Sequence, residues 1–124
     1  MTKKPTDAEL EVLSVLWKNG PSSVRLVNTE LSKNRNVVYT TTLKMMQVMV
    51  DKGFLKRDTS ERTHLYEAAI EEEEIQQSLL NKLVQTAFKG SPLSLVLQAL
   101  GHEKTSPEDL EEIKKIIKKI ENNK

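Results

Sequence analysis

Thr40, Thr41, Lys44, Gln47 and Asp51 recur along residues 36–53 at spacings that place them on one side of a helix turning about 100° per residue. Tyr39, Thr42, Leu43, Met46, Met49 and Val50 gather on the other side. A surface that only meets solvent more often carries Glu and Lys. This one begins with small hydroxyls, a single cation and an amide, groups that match base edges and phosphates in a DNA major groove. An ordinary surface strip on a half-buried helix has the same polarity, so the neighbouring elements must decide its meaning. Asn36 is the candidate cap of this helix and Gly53 its stop.

Those neighbours are informative. Thr6-Asp7-Ala8-Glu9 fits a capping box, and the helix it opens should run to about Asn19 with Leu10, Leu13 and Trp17 inward, Val12 and Leu16 beside them. Gly20-Pro21 turns the chain. Ser22 or Ser23 then caps a short helix to about Ser32, with Val24, Val27 and Leu31 inward. Two helices joined by a polar linker, the second with a readable face, form a helix-turn-helix. The linker holds Lys33 and Arg35, placed to meet phosphates. After Gly53, residues 54–58 and 63–67 are short strand candidates around a polar turn, a hairpin with Arg62 near its tip. Helix followed by basic hairpin indicates a winged helix.

Residues 71–124 read as three further helices. The run Glu71-Glu72-Glu73-Glu74 suits a helix start, where the dipole is positive. Ile75, Leu79 and Leu83, with Leu80, Val84 and Ala87 on the adjoining row, form a wide apolar face ending near Lys89-Gly90. Pro92 restarts a short helix whose Leu93, Leu95, Val96, Leu97 and Leu100 nearly surround it, so burial on most sides is expected. A loop over residues 101–105 follows, and then Ser106-Pro107 opens a last helix striped by Leu110, Ile113, Ile116, Ile117 and Ile120. So short a region cannot easily bury these stripes alone, and pairing with a second copy would cover them.

Composition narrows the function. The formal net charge is +1, but residues 1–67 hold 11 Lys and Arg against 8 Asp and Glu, and residues 68–124 hold 8 against 10. The balance permits a local DNA-binding patch without demanding one. No cysteine is present, no apolar run approaches a membrane span, and no signal-peptide core follows the first five residues, so a cytoplasmic location is expected. The two histidines, His64 and His102, stand in no catalytic or metal-ligand arrangement, and no Gly-rich phosphate loop occurs. No enzyme activity, cofactor or metal is expected.

Thr6 to Leu13, Leu16-Trp17, Gly20-Pro21, Val24-Arg25, Tyr39-Thr40-Thr41 and Lys52-Gly53-Phe54-Leu55 together resemble the bacterial penicillinase-repressor family, of the BlaI/MecI type, over about residues 5 to 120. The resemblance implies a mainly α protein: a winged-helix DNA-binding domain over 1–70 and a helical dimerisation domain over 71–124. It implies a dimeric repressor on inverted-repeat operators in double-stranded DNA, of the kind that controls β-lactam resistance genes. A membrane-bound sensor protease would relieve repression through cleavage in the dimerisation region. The candidate DNA-binding residues are Arg35, Tyr39, Thr40, Thr41, Lys44, Lys56, Arg57 and Arg62. Those for dimerisation are Leu79, Leu83, Leu95, Leu97, Leu110, Ile113, Ile116, Ile117 and Ile120.

The chain departs from the family pattern in places. Val48 stands where many relatives have Arg, and Gln98-Ala99 stands where the resistance repressors have Asn-Phe at the cut. The copper-responsive relatives carry a cysteine cluster that this chain lacks. Other readings stay open on the residues alone: a winged-helix regulator that binds a small ligand directly, a protein-interaction module that does not bind DNA, or an RNA binder. The last lacks the stacking aromatics that single-strand recognition requires.

Overall fold

The computed structural model describes residues 4–102 and 105–123. Its elements run α1 (Asp7–Asn19), α2 (Val24–Leu31), α3 (Tyr39–Asp51), β1 (Leu55–Asp58), β2 (Leu65–Ala68), α4 (Glu72–Thr86), α5 (Pro92–His102) and α6 (Pro107–Asn122). The chain divides into two compact units, Met1–Ser78 and Leu79–Lys124. The division falls inside α4. Ile75, on the first turns of α4, is buried.

In the first unit α1 opens on the expected capping box. The Glu9 amide donates to the Thr6 hydroxyl at 3.1 Å and the Thr6 amide to Glu9 Oε1 at 2.9 Å. The other carboxylate oxygen of Glu9 receives Lys52 Nζ at 2.8 Å, tying the start of α1 to the residue that ends α3. Glu9 is buried. Burial alone would push its carboxyl up, but the Lys52 and Thr6 hydrogen bonds outweigh that and hold it below its usual range. The Lys52 ammonium also lies 6.0 Å from the Phe54 ring centre.

Val12, Leu13 and Leu16 of α1, Val24, Val27 and Leu31 of α2, and Met46 and Met49 of α3 form one core with Phe54, Leu55 and Tyr66. Trp17 packs against its margin, and its indole N–H donates to the Ile70 carbonyl at 2.9 Å. The hairpin pairs antiparallel, with Leu55 opposite Ala68 and Asp58 opposite Leu65. A tie that the sequence did not suggest completes it. Ser22 and Tyr66 exchange both backbone hydrogen bonds, at 2.9 and 2.8 Å, so the turn before α2 acts as a short third strand. The three helices and this hairpin constitute a winged helix.

Two boundaries differ from expectation. Asn36 does not cap α3; Val38 does, without a side-chain bond. The Val37 carbonyl accepts from the Asn28 amide at 2.9 Å and the Ser32 hydroxyl at 3.3 Å, which ties this stretch to α2 and delays the helix until after Val38, whose backbone is extended. Helix α5 continues through Gly101 and His102, residues expected in a loop. The rest of that loop, Glu103 and Lys104, lies outside the described residues.

In the second unit, α4 ends at Thr86 and the chain turns through Lys89 and Gly90, both at positive φ, with the Gly90 amide donating to the Val84 carbonyl at 2.7 Å. Ser106 caps α6, as its sequence indicates, by accepting from the Asp109 amide at 3.0 Å. The expected burial of α5 is not found within one chain. Leu93 is 67% exposed and Leu97 62%, and Ile116, Ile117 and Ile120 of α6 are exposed as well. Val84 is buried, Leu79, Leu95 and Ile113 are half-buried, and Leu80, Leu83 and Leu110 are exposed. This unit supplies too few neighbours of its own to cover a helix surrounded by leucines on several sides.

Candidate nucleic-acid interface

Helix α3 is held in phase from below. Met46 and Met49 fill the core, and Thr42 is fully buried with its hydroxyl accepting from the Asn28 amide of α2 at 2.9 Å. The same Asn28 amide group reaches the Val37 carbonyl, so one side chain fixes the α2–α3 angle and the entry to α3. With Thr42 inward, Thr40, Thr41, Lys44, Gln47 and Asp51 are all exposed, as their spacing indicates. Among the described residues of the first unit, no side-chain ion pair engages these groups.

Tyr39 opens α3 and meets a residue that the sequence reading did not select. The Arg25 guanidinium stands 5.5 Å from the Tyr39 ring centre. Arg25, on the first turn of α2, lines an open cleft together with Ser23, Tyr39, Arg62, Thr63 and His64. The cleft therefore brings α2, α3 and the wing tip to one place and gives it two guanidinium groups. Arg25 stands two residues after the Ser23 cap and is out of phase with Val24 and Val27, a signal for an outward cation at a helix start. No local signal paired His64 with it.

The wing tip is shaped by its own turn. The Ser60 amide donates to Asp58 Oδ1 at 2.9 Å, and this bond, with the Ser60 hydroxyl, holds the Asp58 carboxyl below its usual range. Arg62 projects from this turn, exposed. Lys56 and Arg57 are exposed too, but they line a separate depression with Pro21, Asp58, Leu65 and Glu67. In the register Lys56 stands opposite Glu67 and Arg57 opposite Tyr66.

The linker cations are engaged within the chain. Arg35 Nη1 reaches Glu11 Oε2 at 2.8 Å, and Lys33 Nζ reaches Glu30 Oε2 at 2.9 Å. The Arg35 hydrogen bond lowers the Glu11 carboxyl, and Glu11 in turn raises the guanidinium. Arg35 remains half exposed, so a phosphate would compete with a carboxylate for it. Among the described residues no group of three or more His, Asp or Glu is placed to hold a metal ion, and no helix is long and apolar enough to cross a membrane.

Comparison with known proteins places this arrangement. The chain is 29% identical to a penicillinase repressor of Bacillus licheniformis over 119 residues, 96% of this chain and 93% of that protein. It is 25% identical to the methicillin resistance regulatory protein MecI of Mammaliicoccus sciuri over 118 residues, 95% of this chain and 96% of that one. Among solved structures, monomeric Bacillus licheniformis BlaI in complex with the blaP half-operator aligns at a TM-score of 0.52 and 31% identity, covering 60% of this chain and 90% of that one. A MarR family protein from Bacillus stearothermophilus aligns at 0.50 and 16% identity over 95% of this chain and 74% of its own, a likeness of fold alone. The penicillinase repressor family model matches residues 5–119, and the chain therefore belongs to the penicillinase-repressor family.

Proposed function

We propose that this protein is a homodimeric, sequence-specific DNA-binding repressor that acts in the cytoplasm on inverted-repeat operators. One observation carries the DNA half of the reading: the exposed face of α3 is flanked by a cleft with Arg25 and Arg62, in a winged helix whose 31%-identical relative is bound to half-operator DNA. Thr40, Thr41 and Lys44 meet base edges in the major groove. Arg25 and Arg62 meet phosphates on either side, with Lys56 and Arg57 further along the wing. Arg35 joins them only when it leaves Glu11.

The dimer half rests on the apolar faces of α5 and α6, whose Leu97, Ile116, Ile117 and Ile120 are exposed in a single chain. Covering them with the same faces of a second copy gives a two-fold assembly, and two-fold symmetry matches an inverted repeat. Release follows the family pattern if the Gln98–Ala99 bond of α5 is cut by a sensor protease. Both residues are exposed, but they lie inside a helix, and a protease needs extended backbone, so the helix must open first. A fragment ending at Gln98 in β-lactam-treated source cells, found by mass spectrometry, supports that route. An intact chain beside induced target genes removes it.

Fluorescence-anisotropy titration against the DNA upstream of its own gene tests the reading. Saturable, sequence-dependent binding is expected, and Arg62→Ala should weaken all sequences alike while reducing the salt slope by about 1. Binding that is absent at low salt would favour the protein-interaction alternative.

A further inference from the structure

The outward face of α3 is not uniform. Thr40, Lys44 and Gln47 form a polar strip, spaced four and three residues apart, and Thr41, Met45 and Val48 form a second strip beside it with the same spacing. Thr40, Thr41, Lys44, Met45 and Val48 line a shallow, largely apolar depression. Val48 is 39% exposed, and as a β-branched residue it is a poorer helix former than Ala, Lys or Gln would be there. Met45 is half-buried and packs against the core, so one wall of the depression is held in place before any partner arrives.

From this geometry we infer that α3 recognises a thymine through its 5-methyl group, seated against Val48, Met45 and the Thr41 methyl. The inference rests on the DNA-binding reading above and adds the base that this strip selects. In the major groove only thymine among the four bases presents a methyl group, so an apolar strip there discriminates by chemistry that the polar strip lacks. Lys44 rims the same depression and places a cation beside the methyl, where a phosphate or a base acceptor lies. A protein partner fits the site poorly. Stable protein interfaces bury on the order of 1,000 Å² or more, and this depression is a few side chains wide.

The test starts from the full-length protein. It selects its preferred duplex from a random-sequence pool, and each thymine of that duplex is then replaced singly by deoxyuridine, which removes the methyl and nothing else. At one thymine per half-site the replacement should weaken binding about fourfold, the effect of burying one methyl. Val48→Ala, which keeps its helix content because Ala is the better helix former, should bind the thymine and uracil duplexes within about twofold of each other at that position. The assignment is overturned if uracil is tolerated at every thymine, or if it costs the wild type and Val48→Ala equally. Failure to enrich any sequence is a different result, and it overturns the DNA-binding reading beneath the inference.

Discussion

The two units of this protein handle the same kind of residue in opposite ways. In Met1–Ser78 the large apolar side chains converge: Val12, Leu13, Val27, Met46 and Met49 are fully enclosed by three helices and a hairpin. In Leu79–Lys124 most leucines and isoleucines of α5 and α6 are exposed, with only Leu95 and Ile113 half-buried among those described. Both units have amphipathic or wholly apolar helices, so helix type does not separate them. The difference is closure. The first unit adds long-range ties between α1 and α3, α2 and α3, and the turn before α2 and β2, whereas the second is too short to surround its own helices. The closed unit holds α3 in a set phase, and the open one leaves apolar surface exposed in a single chain.

Breaking the closed unit should produce the largest effect. Leu13→Ala leaves a cavity among α1, α2 and α3 and should cost about 2–5 kcal/mol, read as a lowered midpoint in chemical denaturation. An unchanged midpoint would mean that the core is not what distinguishes the units. Next in size, Ile117→Asp places a charge on the exposed α6 face and should cost several kcal/mol of association. Sedimentation should then show a monomer, with the first unit melting as before. A wild-type chain that is monomeric at micromolar concentration would refute the pairing.

A smaller effect comes from the ion pair that closes the first unit. Glu9→Gln leaves Lys52 without its carboxylate and should destabilise by about 1–3 kcal/mol at neutral pH. The Glu9 carboxyl is held below its usual 4.5 in the folded state, so the stabilisation is full above that value and is lost as pH falls through the lower, folded one. The gap between wild type and Glu9→Gln should therefore be wide at pH 7 and shrink below about pH 4.5. A gap independent of pH would mean that the carboxylate charge plays no part. Smallest of all, Arg35→Ala removes an exposed pair with Glu11 and should leave the melting midpoint unmoved, while lowering DNA affinity only if Arg35 reaches phosphate.

Much of the architecture is local and was therefore readable. Caps depend on residues three apart, which is why Thr6–Glu9, Ser23 and Ser106 act as their sequence indicates. Helical phase depends on spacing alone, so the inward set Thr42, Met46 and Met49 and the outward set Thr40, Thr41 and Lys44 could be separated without coordinates. The hairpin between residues 54 and 68 followed from two short runs around a polar turn. Asn36 shows the limit of such reasoning. It is a good cap by type, but bonds from α2 to Val37 set the helix start two residues later.

By itself the sequence determined the order of helices and wing, the faces of α3 and the excess of apolar surface in the last helices, because each follows from neighbours within one or two turns. Only the tertiary structure decided which charges are free. It paired Arg35 with Glu11 and Lys52 with Glu9, partners 24 and 43 residues apart, and it brought Arg25 and His64 to the cleft beside Tyr39 and Arg62. It also joined Ser22 to Tyr66 and so tied the wing to the turn before α2. An ion pair or a backbone bridge requires a particular distance and direction between groups far apart in the chain. Those exist only once the core has fixed how the helices cross.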